Sequence, residues 1–407
     1  MTELRPDGAR STTGARPPRF GPVDRRVDGS QAHPFEPSRG DGRMTVTDLF
    51  GGDTARALQD QGWISFQATG DTGVDSTEQR NVACAMSHDL DPHRREKGPL
   101  FFLNLGDVIY GPGKTERYAN HFYRPYLEYI HTPVGYDAAI LAIPGNHDGE
   151  VRSAADAPSL GAFRENFCQP SDSVPPMARS FGVTMPDQPG AYFWLDAPWL
   201  DLIGLYSNAK EDEGLLGADG SETHQRTWLL RTLSAIKAGR GTSGRKALVM
   251  AVHHPPFARG LNDSGPGHPG SSTLLAQMDE ACQGAGLWPD VVLSGHAHNY
   301  QRYMRAVTVD GNPAVIAYFV AGTGGIGLQE APTGIGQQRN GVVYANGLTE
   351  LGYLRVTADA SSVTTAFVQA RGTHRQLFES IRIDLASRQP VPLPAVVREA
   401  QPSVQPS

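Results

Sequence analysis

Short apolar runs bounded by turn residues recur along the chain: Trp63–Ala68, Leu100–Leu105, Ala139–Ile143, Leu200–Leu205, Ala247–Val252, Val291–Leu293 and Ala314–Val320. Their length and flanks predict buried β-strands. Amphipathic stretches fall between them. Asp75–Ser87 opens with Asp75 and Glu78 at capping-box spacing, and His224–Ala238 places Trp228, Thr232, Leu233 and Ile236 on one face, so both are expected to be helices. Strand and helix therefore alternate. Farther on, Glu350–Ala358, Val363–Ala370 and Glu379–Leu385 alternate with period two and no helix intervenes, which predicts an antiparallel meander on the same domain.

Both ends of the chain lack this patterning. The N-terminal stretch is rich in Pro, Arg, Gly, Ser and Asp, with scarcely two apolar neighbours, and such a composition buries too little to offset its ordering entropy. The expected organisation is a disordered tail over residues 1–55, one domain over 56–387, and a Pro-rich disordered tail over 388–407. A length of 407 residues would allow two domains, but nothing between residues 62 and 385 reads as a linker or a repeat. Arg25-Arg26 has the form of a twin-arginine export signal, yet Val27–Gln31 is polar where an apolar segment should follow. The expected location is the cytoplasm.

Composition narrows the function classes. With 36 Lys and Arg against 43 Asp and Glu, a net charge of −7, the chain lacks the basic footprint of a nucleic-acid binder. No apolar run approaches the ~18 residues of a membrane span. The 46 Gly and 31 Pro predict long loops between short strands. Cys84, Cys168 and Cys282 lie far apart, without metal-type spacing, which argues against a disulfide framework.

Five polar clusters stand where predicted strands end: Gly70-Asp71-Thr72-Gly73, Gly106-Asp107-Val108-Ile109-Tyr110, Gly145-Asn146-His147-Asp148, His253-His254-Pro255 and Gly295-His296-Ala297-His298. Ligands of open α/β sheets bind just beyond the carboxyl ends of strands, so these loops are expected to converge on one rim. Their oxygen and imidazole donors suit hard or borderline cations rather than a structural zinc site. A Gly-Asp pair or a lone Asn after a strand is ordinarily a turn. It is the five clusters in order that carry the argument.

In that order the blocks resemble those of the calcineurin-like metallophosphoesterase superfamily. Gly73, standing where other branches carry a His ligand, and Tyr110, three positions after Asp107, resemble the purple acid phosphatase branch, as do Lys114–Tyr126 and Gly295–Arg302. The likeness covers roughly residues 62–325. It implies an α/β fold built as a layered α/β/β/α sandwich, two mixed β-sheets flanked by helices. It also implies two metal ions, Fe(III) with Fe, Zn or Mn: the first held by Asp71, Asp107, Tyr110 and His298, the second by Asp107, Asn146, His253 and His296. Asp107 would bridge them. The spacing is compatible, since Asp107 and Tyr110 would share a face in a helical turn and His296 and His298 would project to one side of an extended segment.

His253 and His254 are adjacent and must point apart, and the family pattern selects His253 as the ligand. His147 would contact the phosphoryl group and protonate the leaving alkoxide, with Asp148 orienting it. The implied reaction is hydrolysis of a small phosphorylated substrate, a phosphomonoester first, by a metal-bound hydroxide. The alternatives are a phosphodiesterase or nucleotide pyrophosphatase on the same metals, and a non-catalytic binding scaffold, which the complete ligand blocks disfavour. No nucleic-acid or membrane partner is expected. His268, in the Gly/Pro-rich loop Leu261–Ser272, reads as an ordinary surface histidine, with a lid carrying a proton donor as the other reading. Gly322-Thr323-Gly324-Gly325 has no following Lys and reads as a turn rather than a P-loop.

Overall fold

In a computed structural model, the described residues are 33–392 except 92, 132–138, 153–157, 171–173, 210–212, 218–223, 260–267 and 373. Their elements, in chain order, are β1 (Arg43–Thr45), α1 (Val46–Gln61), β2 (Trp63–Thr69), α2 (Thr77–Ser87), β3 (Phe101–Asn104), α3 (Leu127–Ile130), β4 (Ala139–Ala142), α4 (Asn146–Gly149), α5 (Gly161–Phe167), β5 (Phe193–Ala197), β6 (Leu200–Leu205), α6 (His224–Ser243), β7 (Ala247–Val252), α7 (Ser272–Ala285), β8 (Val291–Ser294), β9 (Tyr300–Val309), β10 (Asn312–Ala321), β11 (Gln338–Arg339), β12 (Val342–Leu348), β13 (Gly352–Asp359), β14 (Ser362–Arg371), β15 (His374–Asp384) and β16 (Pro390–Val391).

Two mixed sheets result. One runs β1-β5-β6-β7-β8-β10-β9-β12-β11 and the other β16-β15-β14-β13-β2-β3-β4. Strands β2, β3 and β4 are mutually parallel in the second sheet, and β6, β7, β8 and β10 in the first. The inner faces pack on each other: Phe66, Phe101 and Leu354 from one sheet meet Leu202, Val249 and Phe319 from the other in one apolar core. Tyr300 of β9 stacks on Phe367 of β14 across the gap, ring centroids 4.2 Å apart. A second core covers the outer face of β3 and β4 with α2, α5 and Tyr118–Tyr129, and a third covers β7 and β8 with α6 and α7. With both faces covered, β7 is apolar throughout, whereas β2 is buried but alternates, Ile64, Phe66 and Ala68 with the buried polar Ser65, Gln67 and Thr69. The sandwich expected from the sequence is the fold observed.

Some elements differ from expectation. Residues 43–55, assigned above to a disordered tail, belong to the folded body: β1 pairs in parallel with β5, and Thr45 and Asp48 form a capping box at the start of α1. His224 reaches back to the Phe35 carbonyl at 2.9 Å, and Phe35 packs edge-on to Tyr206. Long-range pairing supplies the order that local composition does not. At the other end, Arg388 is buried and Pro390–Val391 pairs with β15, so the domain passes residue 387. The remainder of both expected tails, residues 1–32 and 393–407, lies outside the described residues. Helix α2 is capped by Ser76, whose hydroxyl accepts from the Gln79 amide, whereas Asp75 sits before the cap at φ 54°. Among the described residues, no helix is long and apolar enough to cross a membrane.

Candidate metal centre

The parallel strands of both sheets end at one rim, and the five clusters meet there. The loops after β2, β3 and β4 bring Asp71, Asp107 and Asn146 from one sheet. Those after β7 and β8 bring His253, His296 and His298 from the other. Carboxylates thus come from one layer and imidazoles from the opposing one. Asp71, Asp107, Asn146, His253 and His296 are all at most 2% exposed, while the side chains of His147 and His298 are 19% and 15% exposed and mark the mouth.

The loops are irregular, not the helical turn or extended segment assumed from spacing. Asp71, Asp107 and His296 have φ of 61°, 52° and 68°, left-handed values that cost a non-glycine residue about 1–3 kcal/mol and collect at functional sites. Close backbone approach explains two glycines. A Cβ on Gly73 would lie 2.0 Å from the Val108 carbonyl oxygen, and one on Gly145 would lie 2.2 Å from Asp107 Oδ1. Position 73 therefore has no room for the histidine that other branches carry.

Two sets of donors flank Asp107. On one side the Tyr110 hydroxyl donates to Asp71 Oδ1 at 2.9 Å and lies 3.1 Å from His298 Nε2, which is 3.5 Å from the same carboxylate oxygen. On the other, Asn146 Oδ1 stands 3.0 Å from His253 Nε2 and 3.1 Å from His296 Nδ1. Asp107 Oδ2 is 3.5 Å from His253 Nε2, and its Oδ1 accepts from the His147 amide at 3.0 Å. The Leu105 carbonyl, 2.8 Å away, takes the Nδ1 proton of His253 and leaves Nε2 as the nitrogen facing the site. Asp71 Oδ2 accepts from the His296 amide at 2.8 Å.

Electrostatics follow from this burial. Desolvation pushes the Asp107 carboxyl up, but the facing His253 and His147 outweigh it and hold it below the usual carboxylate range. Burial disfavours the charged His253 ring, yet Asp107 and Asp71 raise it to about 9. His296 is driven well down by burial and by the surrounding imidazoles. Tyr110 is raised by burial and by the two aspartates.

The donors fit cations. Ligand atoms of Asp71, Asp107 and His253 lie within 4.8 Å of one another, and two buried carboxylates face three imidazoles and a carboxamide, all O and N donors. Asp71, Asp107, Tyr110, Asn146, His253, His296 and His298 are all brought together.

Two expectations need correcting. Asp148 does not orient His147. Its carboxylate accepts from the amides of Val108, Ile109 and Gly145 at 3.0, 3.1 and 2.9 Å, tying the Asp107 loop to α4. Burial, then the Asp107 charge, raises Asp148 to about 7 against those amides. Glu150 is the carboxylate beside His147, its Oε2 3.5 Å from Nδ1. His268 is not an ordinary surface histidine. Its ring centroid is 4.1 Å from that of His296 and 5.5 Å from that of His298, and burial, then the His298 charge, lowers it to about 4. Residue types alone could not reveal this, although its place after the His253 block was a hint. The lid reading falls on 260–267, outside the described residues. His254 lies behind the site, its Nδ1 2.7 Å from the Ser207 hydroxyl and its ring 4.2 Å from that of His296.

Comparisons with known proteins agree with this geometry. Residues 66–300 match the family model described as calcineurin-like phosphoesterase. No curated protein matches the sequence significantly. Among solved structures the chain is similar to GAP50, the anchor in the inner membrane complex of Plasmodium, at 13% identity and a TM-score of 0.50, covering 78% of this chain and 88% of that one. It is also similar to PhoD, at 14% identity and a TM-score of 0.50, covering 83% and 73%. At such identities the likeness establishes the shared fold.

Proposed function

Because the chain belongs to the calcineurin-like phosphoesterase family, whose chemistry is metal-dependent hydrolysis of phosphoric esters, we propose that it hydrolyses phosphomonoesters at a dinuclear centre. The observation that carries this reading is that Asp107 lies close to both Asp71 and His253, and so to two donor sets, Asp71, Tyr110 and His298 on one side and Asn146, His253 and His296 on the other. Tyr110 in the first set, with no side chain at position 73, supports the purple acid phosphatase-like pairing of Fe(III) with Fe, Zn or Mn.

When bound, two such cations lower the pKa of water towards ~7 and neutralise the phosphoryl oxygens. The residues do the remaining work. Asp107, whose carboxylate lies within 4.8 Å of ligand atoms of both Asp71 and His253, would serve both sets, and Asp148 keeps its loop in register through the Val108 and Ile109 amides. His147, at the mouth, holds the proton that the leaving alkoxide takes, its ring set by Glu150 on one side and the Tyr110 ring, 4.7 Å away, on the other. His268 covers the imidazoles of His296 and His298 and keeps water from their outer faces.

The test is hydrolysis of p-nitrophenyl phosphate and bis(p-nitrophenyl) phosphate by the metal-loaded protein, with metal content measured alongside. The reading expects two ions per chain, a kcat/KM for the monoester at least about tenfold above the diester, and a loss of about 100-fold or more in Asn146→Ala. Hydrolysis of the diester alone would transfer the assignment to a phosphodiesterase. Unchanged turnover in Asn146→Ala would place the working site elsewhere.

A further inference from the structure

At the opposite rim of the first sheet, where β7 and β8 begin, four cations surround a cavity of about 330 Å³: Lys237 and Arg240 in the last turns of α6, Arg245 just before β7, and Arg388 before β16. That volume is at the low end for small-molecule sites. Two carboxylates at the cavity oppose the four cations, and a third, the buried Asp201, attracts Arg240. Asp310 lines the cavity at the surface, and Asp290, fully buried, is shared by Arg245 and Arg388 while its other oxygen accepts from the Leu248 amide at 2.9 Å.

Positive charge is therefore in excess, and it is incompletely bonded. The Nε groups of Arg240, Arg245 and Arg388 are all buried without an acceptor among the described residues, and leaving a buried guanidinium donor unsatisfied is costly. Arg388 is 8% exposed and holds a left-handed φ of 56°. Its NH2 group is committed to the Trp288 and Pro289 carbonyls at 3.0 and 2.8 Å, which fixes the guanidinium in place. Burial lowers the pKa of both Arg240 and Arg388; Asp290 opposes this, and repulsion from Arg245 adds to it. An anion would relieve that repulsion and accept from the unpaired donors.

We infer that this basic cavity, a full strand length from the metal centre, is a second binding site for a small tetrahedral oxyanion of the phosphate class, either inorganic phosphate or the phosphoryl end of a small ester. Arginine forks match the oxygen geometry of phosphate, and Lys237 at the rim adds a mobile charge.

Isothermal titration of the metal-loaded protein with inorganic phosphate tests this, comparing wild type with Lys237→Gln/Arg240→Gln. Neither residue belongs to the proposed catalytic machinery, so hydrolysis of p-nitrophenyl phosphate is expected to be unchanged and reports a folded enzyme. Wild type should bind phosphate at two sites. The double variant should keep only the one that competes with substrate, and Lys237→Gln alone should weaken the other about tenfold, the loss of one charge-assisted hydrogen bond. Parallel titration with glycerol 1-phosphate separates the sources: tighter binding than inorganic phosphate assigns the site to an ester. Identical phosphate stoichiometry in wild type and double variant, or a single substrate-competitive site in wild type, would overturn the inference.

Discussion

The Tyr110 hydroxyl donates its proton to Asp71 Oδ1 at 2.9 Å while lying 3.1 Å from His298 Nε2. Phenol, carboxylate and imidazole are thus locked in one triangle at the proposed first metal position. Replacement of that proton by Fe(III) would give a phenolate that absorbs visible light. Tyr110→Phe is expected to retain its metal content and lose the purple or pink colour, as read by a visible spectrum alongside metal analysis.

Asp148 is expected to act through the backbone. Asp148→Ala removes acceptors from three buried amides, each worth about 1.5–3 kcal/mol when the acceptor is charged, though not additively. The expected outcome is a loss of about 2–4 kcal/mol in urea unfolding and about 10–100-fold weaker metal affinity. Glu150→Gln, in contrast, should leave metal affinity intact and lower kcat.

Gly73→Ala tests the close approach of two loops. The new methyl would lie 2.0 Å from the Val108 carbonyl oxygen and 2.4 Å from Ile109 Cα, so the Asp107 loop must shift. A displacement near 1 Å of a catalytic group can cost about 100-fold in rate, and kcat/KM is expected to fall at least that far.

Metal removal should destabilise the fold, because Asp71 and Asp107 are both buried at one place. A ligand present at 100 times its Kd stabilises the native state by about 2.7 kcal/mol. Scanning calorimetry is expected to show a Tm several degrees lower after chelation, recovered on adding metal back. Equal melting temperatures would count against metal binding.

Acid stability should depend on a clasp between the sheets. Arg302 of β9 donates from Nε and NH2 to the two oxygens of Glu379 on β15, each at 2.9 Å. Burial raises the Glu379 carboxyl, but Arg302 outweighs it and holds it below its usual value. Since the unfolded carboxyl, with a pKa of about 4.3, binds its proton first, the clasp contributes fully above that pH and is lost as pH falls through the lower folded value. Urea unfolding at pH 7 should find Glu379→Gln about 1–3 kcal/mol less stable than wild type. That gap should narrow steadily below about pH 4.3.

The apolar runs, their turn-rich ends and five ordered clusters were legible in the sequence, because hydrophobic period and ligand-type residues are local properties. So were the two-layer architecture and the family. Other features depended on partners distant in the chain. β1 is ordered by β5, the segment before it by His224 of α6, and α1 by Trp199, whose indole donates to the Leu58 carbonyl, none of which local composition reports. Asp148 sits beside His147 in sequence, yet its carboxylate turns to amides some forty positions earlier. His268 is covered through packing on His296 and His298.

By itself, then, the sequence determined which residues could bind metal and which segments must be buried. Only the tertiary structure decided that carboxylates arrive from one sheet and imidazoles from the other, which side chain serves which neighbour, and where charge accumulates away from the centre. The physical reason is that side-chain direction and desolvation are set by contacts between segments hundreds of residues apart, whereas propensity and pattern are set within a few.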